Sequence, residues 1–504
     1  LGVLHARKTD AVSTERHYRR ALMIDPKHEG ASGNLADLLL SQDQDIKAEE
    51  ICIIATTWVP LSARVLGNLA LVRVRQGNRD VAFLDIRRAV CADPSYAKAW
   101  QLMGMLGHDE AEMADGAYKR AWHAGLRDPS ILTNRGEIAQ RNGHISDAIA
   151  LYRAAIAKAP EDPDILANLA TANIDDGDFD SARVNARRVL SAFPNHRVAR
   201  WISSWVALAH QDFDNGYRAY DDRWRSTDPG APAHATAFPL WDGGRISGAL
   251  LLWCEQGLGD EIFYAGMIDD VLALGVSVVL ETAPRLVSLF QRSWPSMRVI
   301  GRGTELPSDI VAQSSVLRLP MLFRRQLEDF PSRTHYLVAD PEKVTEYKNL
   351  FSELGDGLTI GFAWRSGNQR TGAAKSTQLS HWNALLDQQG GNFLSLQYDD
   401  RGEGDARLHP NPGNDVKNDI DDLAAQITAL DHVVSISGIT AHLAGALGTH
   451  GHVLLPPAPL WFWFAEGPNC PWYPTLTLFR RARREAWEHP VARVGEAVRK
   501  FLAS

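Results

Sequence analysis

Cysteine is scarce in this chain: Cys52, Cys91, Cys254 and Cys470 are the only four among 504 residues, all far apart and none in a Cys-x-x-Cys pair. That excludes a disulfide framework and a zinc-finger module, and a reducing cytoplasm is the expected compartment. Long hydrophobic runs are missing as well. The longest uncharged apolar stretch, Val271 to Leu280, is about half of what a bilayer crossing needs, and no basic-then-apolar leader opens the sequence. Nor is charge of one sign concentrated. Lys and Arg number 53 against 61 Asp and Glu, a net charge of -8 without long single-sign runs. Generic binding to nucleic acid or acidic membrane therefore has no warrant. What remains is a globular composition, 45% hydrophobic, 23% charged and 8% aromatic. At roughly 150 residues per domain this length predicts about three domains.

The N-terminal half repeats itself. Pro26, Pro60 and Pro94 are 34 residues apart, and Pro160 and Pro194 keep the same spacing, the period of the tetratricopeptide helix pair. Each proline falls where a second helix stops. Tyr18 and Ala21 precede Pro26, and Ala148, Tyr152 and Ala155 precede Pro160, at offsets that let the two helices of a unit pack closely. First helices carry Leu35-Ala36, Leu69-Ala70, Trp100 with Gly104, and Leu169-Ala170, while Gly77, Gly143 and Gly177 mark the turns inside units. At least five units are expected, with an irregular one from Ala97 to Asp128 because Pro129 leaves the 34-residue grid. Leu1-Gly2 matches the Leu-Gly position of a unit counted back from Pro26, so further repeats are expected ahead of it.

Asparagine recurs at one repeat position, as Asn34, Asn68, Asn134 and Asn168, with only Leu102 interrupting. A carboxamide donates and accepts together, so a ladder along a concave groove can pair with the backbone of an extended peptide. The alternative is that these side chains bond neighbouring helices and bind nothing. The ladder resembles that of the protein O-GlcNAc transferase superhelix, and on that basis a peptide-reading groove is the favoured expectation.

One aromatic helix with Trp201, Trp205, Tyr217, Tyr220 and Trp224 is expected to seal the last repeat, giving a superhelix with capping helices over 1–225. A Pro-, Ala-, Gly- and Thr-rich linker follows at 226–239. Beyond it, apolar runs alternate with helical patterns: Ala249 to Cys254, Val276 to Glu281, Thr359 to Trp364, Phe393 to Gln397, His432 to Ser437 and His452 to Pro456. Such alternation predicts parallel sheets flanked by helices. With Asp340 to Gly357 as a connecting helix, two Rossmann-like lobes are expected, 240–345 and 346–504.

The segments LLWCEQGLGDEIFYA from Leu251 and SISGITAHLAGALG from Ser435 form a recognisable pair, joined by Phe238 to Gly243, Gly361 to Trp364, Ser395 to Gln397, and Trp472-Tyr473-Pro474. Together they resemble glycosyltransferases of the GT-B fold. Nearly the whole chain resembles bacterial tetratricopeptide proteins whose C-terminal domain is related to the ADP-heptose lipopolysaccharide heptosyltransferases, glycosyltransferase family 9. The resemblance implies an α-solenoid followed by an α/β GT-B fold, with the acceptor on the first lobe and a nucleotide-sugar on the second.

Chemically, Glu255-Gln-Gly-Leu-Gly-Asp260 follows a strand and opens a helix, so Gly257 and Gly259 let backbone approach a ligand. Sugar transfer to a hydroxyl needs a base, and Asp260 matches the residue proposed for that role in the heptosyltransferases. Helix capping is its structural alternative. Glu255 is expected to orient the loop or the acceptor. Ser437, Gly438, Thr440 and His442 lie where a helix N-terminus would hold the diphosphate, with the His442 ring towards the cleft. Arg365, Arg370 and Lys375 are expected to neutralise the leaving group. No Asp-x-Asp motif falls in a suitable loop, so no metal and no cofactor besides the nucleotide-sugar is expected. The acidic pairs at 221–222, 269–270, 399–400 and 421–422 read as solvated positions. Relatives carry Asp-Thr where Ser437-Gly438 stands and Asp-Trp-Arg-Trp where Leu460-Trp-Phe-Trp stands. The expected function is metal-independent, inverting transfer of a sugar to a protein acceptor, flagellin or another bacterial surface protein. A non-catalytic scaffold with a degenerate sugar-nucleotide domain, or transfer to a glycolipid, are the alternatives.

Overall fold

The computed structural model describes residues 11–107, 110–221, 237–368, 372–398, 405–413, 415 and 417–503. Among the described residues thirteen helices come first, from Ala11–Ile24 to Phe213–Asp221. First helices of successive units begin at Glu29, Ala63, Ala97, Pro129, Pro163 and Arg197, so the 34-residue period holds throughout except for the shorter unit that starts at Ala97. Gly77, Gly143 and Gly177 turn between helices with φ of 84°, 80° and 78°, a conformation that side-chain-bearing residues rarely adopt. Glycine inside a first helix serves close packing instead. A Cβ on Gly104 would stand 2.8 Å from the Tyr118 ring, and one on Gly136 would stand 2.6 Å from Tyr152. Tyr118 and Tyr152, on the second helices of their units, thus pack directly against the first.

The described residues fall into two compact units, one up to Leu169 and one from Ala170 on. The division lies inside the helix Pro163–Asp175, and the first eleven residues of the expected linker at 226–239 lie outside the described ones. The reason is aromatic packing within the second unit. Phe213 meets Phe464 at 6.0 Å and Tyr217 meets Trp461 at 6.1 Å, while the Ala465 amide donates to the Ala209 carbonyl at 2.7 Å. Arg483 pairs with Asp176 and, at 3.1 Å, with Asp178. The aromatic segment expected as one sealing helix is two, Arg197–Ala209 and Phe213–Asp221, a further helix pair. Trp224 lies outside the described residues.

Ten strands follow, all parallel within two sheets. β1 (Ala249–Trp253), β2 (Ser277–Thr282), β3 (Arg298–Gly301) and β4 (Ile310–Ser315) form the first sheet in the order β3-β2-β1-β4. β5 (Leu358–Ala363), β6 (Gly391–Ser395), β7 (Leu408–His409), β8 (His432–Ile436), β9 (Gly451–Leu455) and β10 (Leu476–Arg480) form the second, in the order β10-β9-β8-β5-β6-β7. Both follow the doubly wound sequence, in which the order reverses once, between β1 and β4 and between β5 and β8. The predicted connecting helix is Pro341–Ser352, started by Asp340, whose side chain accepts from the amides of Glu342 and Lys343. The C-terminal helix Glu488–Leu502 covers one face of the second sheet, placing Val491, Val494 and Val498 against Ile360, Phe362 and Phe393. Among the described residues no helix is long and apolar enough to cross a membrane.

Candidate functional site

In doubly wound sheets ligands bind beyond the carboxyl ends of the strands, where the strand order reverses. The segments around Asp260 and Ser437 lie at these two places.

At the first, the chain leaves β1 through Cys254 and turns sharply at Gln256, whose φ of 69° is left-handed. The helix Leu258–Ala265 then begins at Gly257. One Asp260 carboxylate oxygen accepts the Gly257 amide at 3.1 Å, so Asp260 caps its own helix. A carboxylate has further lone pairs, and capping does not use them up. Burial pushes the Asp260 carboxyl above its ordinary range, while the Lys375 ammonium pulls it back. Glu255 reaches across the reversal, accepting the Ser315 hydroxyl at 2.6 Å and so tying the end of β1 to the end of β4.

Glu261, beside Asp260, carries a role that sequence reasoning missed. Only 1% exposed, it accepts from the Thr282 hydroxyl at 2.6 Å, the Ala283 amide at 2.9 Å and the Arg302 guanidinium at 2.7 Å. It fastens the helix that carries Asp260 to the ends of β2 and β3.

At the second reversal, Ser437 and Gly438 lead from β8 into the helix Ile439–Leu447. Gly438 is extended, and a Cβ there would meet nothing nearer than the Ile436 carbonyl at 3.9 Å, so the helix end is uncrowded. The first amides of such a helix lack partners within it and favour anions. Thr440 is buried. The Lys375 ammonium donates to the Ser437 carbonyl at 2.8 Å, and burial lowers its basicity against the opposing pull of Asp260. Arg365 is exposed and Arg370 lies outside the described residues.

The segment carrying Arg365 and Lys375 is pinned at both ends. The Gln397 carboxamide accepts from the amides of Trp364 at 3.1 Å and Arg365 at 2.9 Å and donates to the Arg365 carbonyl at 3.1 Å. Thr377 returns its amide and hydroxyl to the Trp364 carbonyl at 2.9 and 3.0 Å. Gln397 stands in the Ser-Leu-Gln motif, yet nothing local in the sequence marks it as a clamp.

Three expectations are corrected. His442 does not open broadly into the cleft: the residue is 5% exposed, packed among Phe263, Phe462, Trp463 and Tyr473, and its Nδ1 meets the Tyr473 hydroxyl at 2.9 Å. Burial, with the nearby Lys375 charge, lowers its pKa to about 3, so the imidazole is neutral. The asparagine ladder is spent largely on the repeats themselves. Asn68 donates to the Gly33 carbonyl at 3.1 Å, Asn134 to the Tyr118 hydroxyl at 2.9 Å and Asn168 to Glu137 at 3.0 Å. Asn34 is half-buried. Two acidic pairs are likewise fastened rather than solvated, Asp269 and Asp270 by Arg333 and Arg324, and Asp421 and Asp422 by Arg292 and Lys343. Trp461, Phe462 and Trp463 are core.

The fold and the repeat pattern define a tetratricopeptide-repeat protein that carries two doubly wound parallel sheets after its repeats. A tetratricopeptide-repeat family model matches residues 139–214. Over 542 aligned positions, all of this chain and 84% of the relative, the sequence is 27% identical to Protein FlbA of Caulobacter vibrioides. Over 220 positions, 43% of this chain and 16% of the relative, it is 26% identical to Cellulose synthase 2 operon protein C of Komagataeibacter xylinus. Among solved structures, the tetratricopeptide protein YrrB is similar over 36% of this chain and 95% of its own, with 16% identity and a TM-score of 0.32. Pseudomonas aeruginosa pilF is similar over 40% and 93%, with 16% identity and a TM-score of 0.37.

Proposed function

We propose that this protein is a glycosyltransferase that moves a sugar from a nucleotide-sugar to a protein acceptor captured by its repeats. The observation that carries the reading is the juxtaposition of the two strand reversals: Asp260, from the first sheet, and Lys375, from the second, sense each other's charge beside the open N-terminus of the helix Ile439–Leu447. A carboxylate with raised basicity, a cation and a helix N-terminus are the parts a metal-independent transfer requires. Asp260 takes the proton of the acceptor hydroxyl as its oxygen attacks the anomeric carbon, and inversion follows from that single displacement. Lys375 and the amides at Ile439 and Thr440 hold the diphosphate as it leaves, with Arg365 at the rim. Glu255 and Ser315 set the floor on the acceptor side. Tetratricopeptide arrays are interaction modules, which supports a polypeptide acceptor, and the resemblance of the whole architecture to tetratricopeptide enzymes implicated in bacterial flagellin glycosylation makes flagellin or another surface protein the acceptor we propose.

The test is calorimetric titration and thermal shift against UDP-, GDP-, ADP- and CMP-sugars, because a ligand that binds only the native state raises its apparent stability. Saturable binding to one of them, lost in Lys375→Ala, is expected. A second reading, a non-catalytic scaffold, is favoured by Ser437-Gly438 in place of Asp-Thr. It predicts no binding to any of the four from a folded protein.

A further inference from the structure

The second helices of six successive units, Ala11–Ile24, Asp45–Trp58, Arg79–Ala92, Ala111–His123, Ile145–Ile156 and Phe179–Ala192, align position by position. Their ninth and tenth residues are exposed in every unit, and five units carry at least one basic residue there: Arg19-Arg20, Arg87-Arg88, Lys119-Arg120, Arg153-Ala154 and Arg187-Arg188. The helix Asp45–Trp58 departs from this and places Ile53-Ile54 at the same two positions, with Trp58 and Leu61 exposed beside them. Ile54 is 58% exposed and Leu61 72%, although the units on both sides are present. Stacking of repeats therefore leaves this apolar face bare, and contiguous patches of that kind mark interaction sites.

The next second helix, Arg79–Ala92, continues the patch. Arg73, on the helix Ala63–Arg75 between the two, reaches Glu49 on one side at 4.0 Å and pairs with Asp85 on the other. Arg88 donates to the Pro60 carbonyl at 3.3 Å, beside Leu61. Along the exposed face of Arg79–Ala92, Asp80, Leu84, Arg87 and Arg88 recur at helical spacing, and Leu84 is itself 58% exposed. The acid stands four residues before Leu84 and the bases three and four after it, about 5–6 Å to either side at the helical rise. Among the described residues neither Asp80 nor Arg87 has an ion-pair partner. An acid and a base equally spaced about an apolar centre complement themselves: a two-fold axis crossing the helix at Leu84 turns a copy antiparallel, so that Asp80 of each chain meets Arg87 and Arg88 of the other. A partner of another sequence places no such demand on the surface, whereas a second copy does. We propose that Ile53, Ile54, Trp58, Leu61 and Leu84 form the apolar centre of an interface that joins two copies of this chain into a two-fold dimer. The dimer does not depend on what the strand ends bind.

Sedimentation velocity on the full chain tests this. Wild type is expected to be dimeric at concentrations on the order of 10 μM. Ile53→Arg with Ile54→Arg installs what the neighbouring units carry, so the helix is expected to stay folded, with the dissociation constant raised about a hundredfold or more. Leu84→Asp serves the same purpose should that variant fail to fold, as a thermal melt would show. A wild type that stays monomeric up to about 100 μM, or a dimer indifferent to both changes, overturns the proposal. The two-fold placement has its own readout. Asp80→Arg and Arg87→Asp each set like charges across the axis, and each is expected to weaken the dimer about tenfold when alone. Mixed in equal amounts they restore opposite charges and are expected to form a heterodimer of wild-type affinity. Single variants as tight as wild type, or a mixture no tighter than its components, overturn the antiparallel pairing of the two copies.

Discussion

The repeats and the strand ends treat polar side chains in opposite ways. Asn68, Asn134 and Asn168 recur with the regularity of a recognition code, yet each donates an amide proton to the repeats' own helices. At the strand reversals, polar groups are fastened from one side only. Lys375 and His442 each have a partner behind them while a further ammonium proton or ring nitrogen is left over. Periodicity therefore marks groups that hold a repeating fold together. Convergence of residues distant in sequence marks the site.

Asp260→Asn should break the comparison most severely. If the strand ends are where chemistry happens, transfer falls about a hundredfold or more while nucleotide-sugar affinity, followed by calorimetry, stays near wild type. Transfer at the wild-type rate would remove Asp260 from the role of base.

Glu261→Leu comes next. It leaves the Thr282 hydroxyl and the Ala283 amide without their acceptor and the Arg302 guanidinium with only the Cys254 carbonyl, and a loss of about 3 kcal/mol is expected in urea unfolding. A loss below 1 kcal/mol would mean that the helix carrying Asp260 is held by other means.

Acid supplies a smaller effect, within the second sheet. His432 Nε2 and His452 Nδ1 lie 3.1 Å apart, and burial lowers their pKa values to about 3 and about 4, His432 also feeling the charges of His452 and His450. The folded state refuses protons that the unfolded chain takes up below its ordinary 6.5. Stability is therefore complete above that pH and declines as pH falls from 6.5 towards 3. His432→Gln with His452→Gln should flatten this decline in melts taken across that range. An unchanged slope would assign the acid response to other groups.

The smallest effect sharpens the comparison from the side of the repeats. Asn68→Ala removes one buried hydrogen bond and should cost about 1 kcal/mol, seen in the melt, with capture of an acceptor peptide unaltered. Lost capture at unchanged stability would restore the ladder as a reader of peptide.

Much of the fold is legible in the sequence because its signals are local. Proline spacing and turn glycines mark the repeats, and six apolar runs mark β1, β2, β5, β6, β8 and β9 to within two residues at either end. β4 escapes because Gln313, Ser314 and Ser315 are polar yet buried, and β7 because it is two residues long. The site divides along the same line. Asp260, Glu255 and Ser437 stand beside glycines at the ends of apolar runs, whereas Gln397 and Glu261 act on partners that no sequence window connects. His442 is legible as a position but not in its burial, which depends on four aromatic side chains from three separate segments.

The C-terminal helix has a consequence for how the protein is made. Val491, Val494 and Val498 close the same core as Ile360 and Phe362, so β5 has no finished cover until residues more than a hundred positions downstream have been synthesised. At about 5–20 residues per second, an apolar strand waits on the order of ten seconds on the ribosome without its lid. That interval, rather than the equilibrium stability of the finished chain, sets when nascent protein is exposed to aggregation and to chaperones.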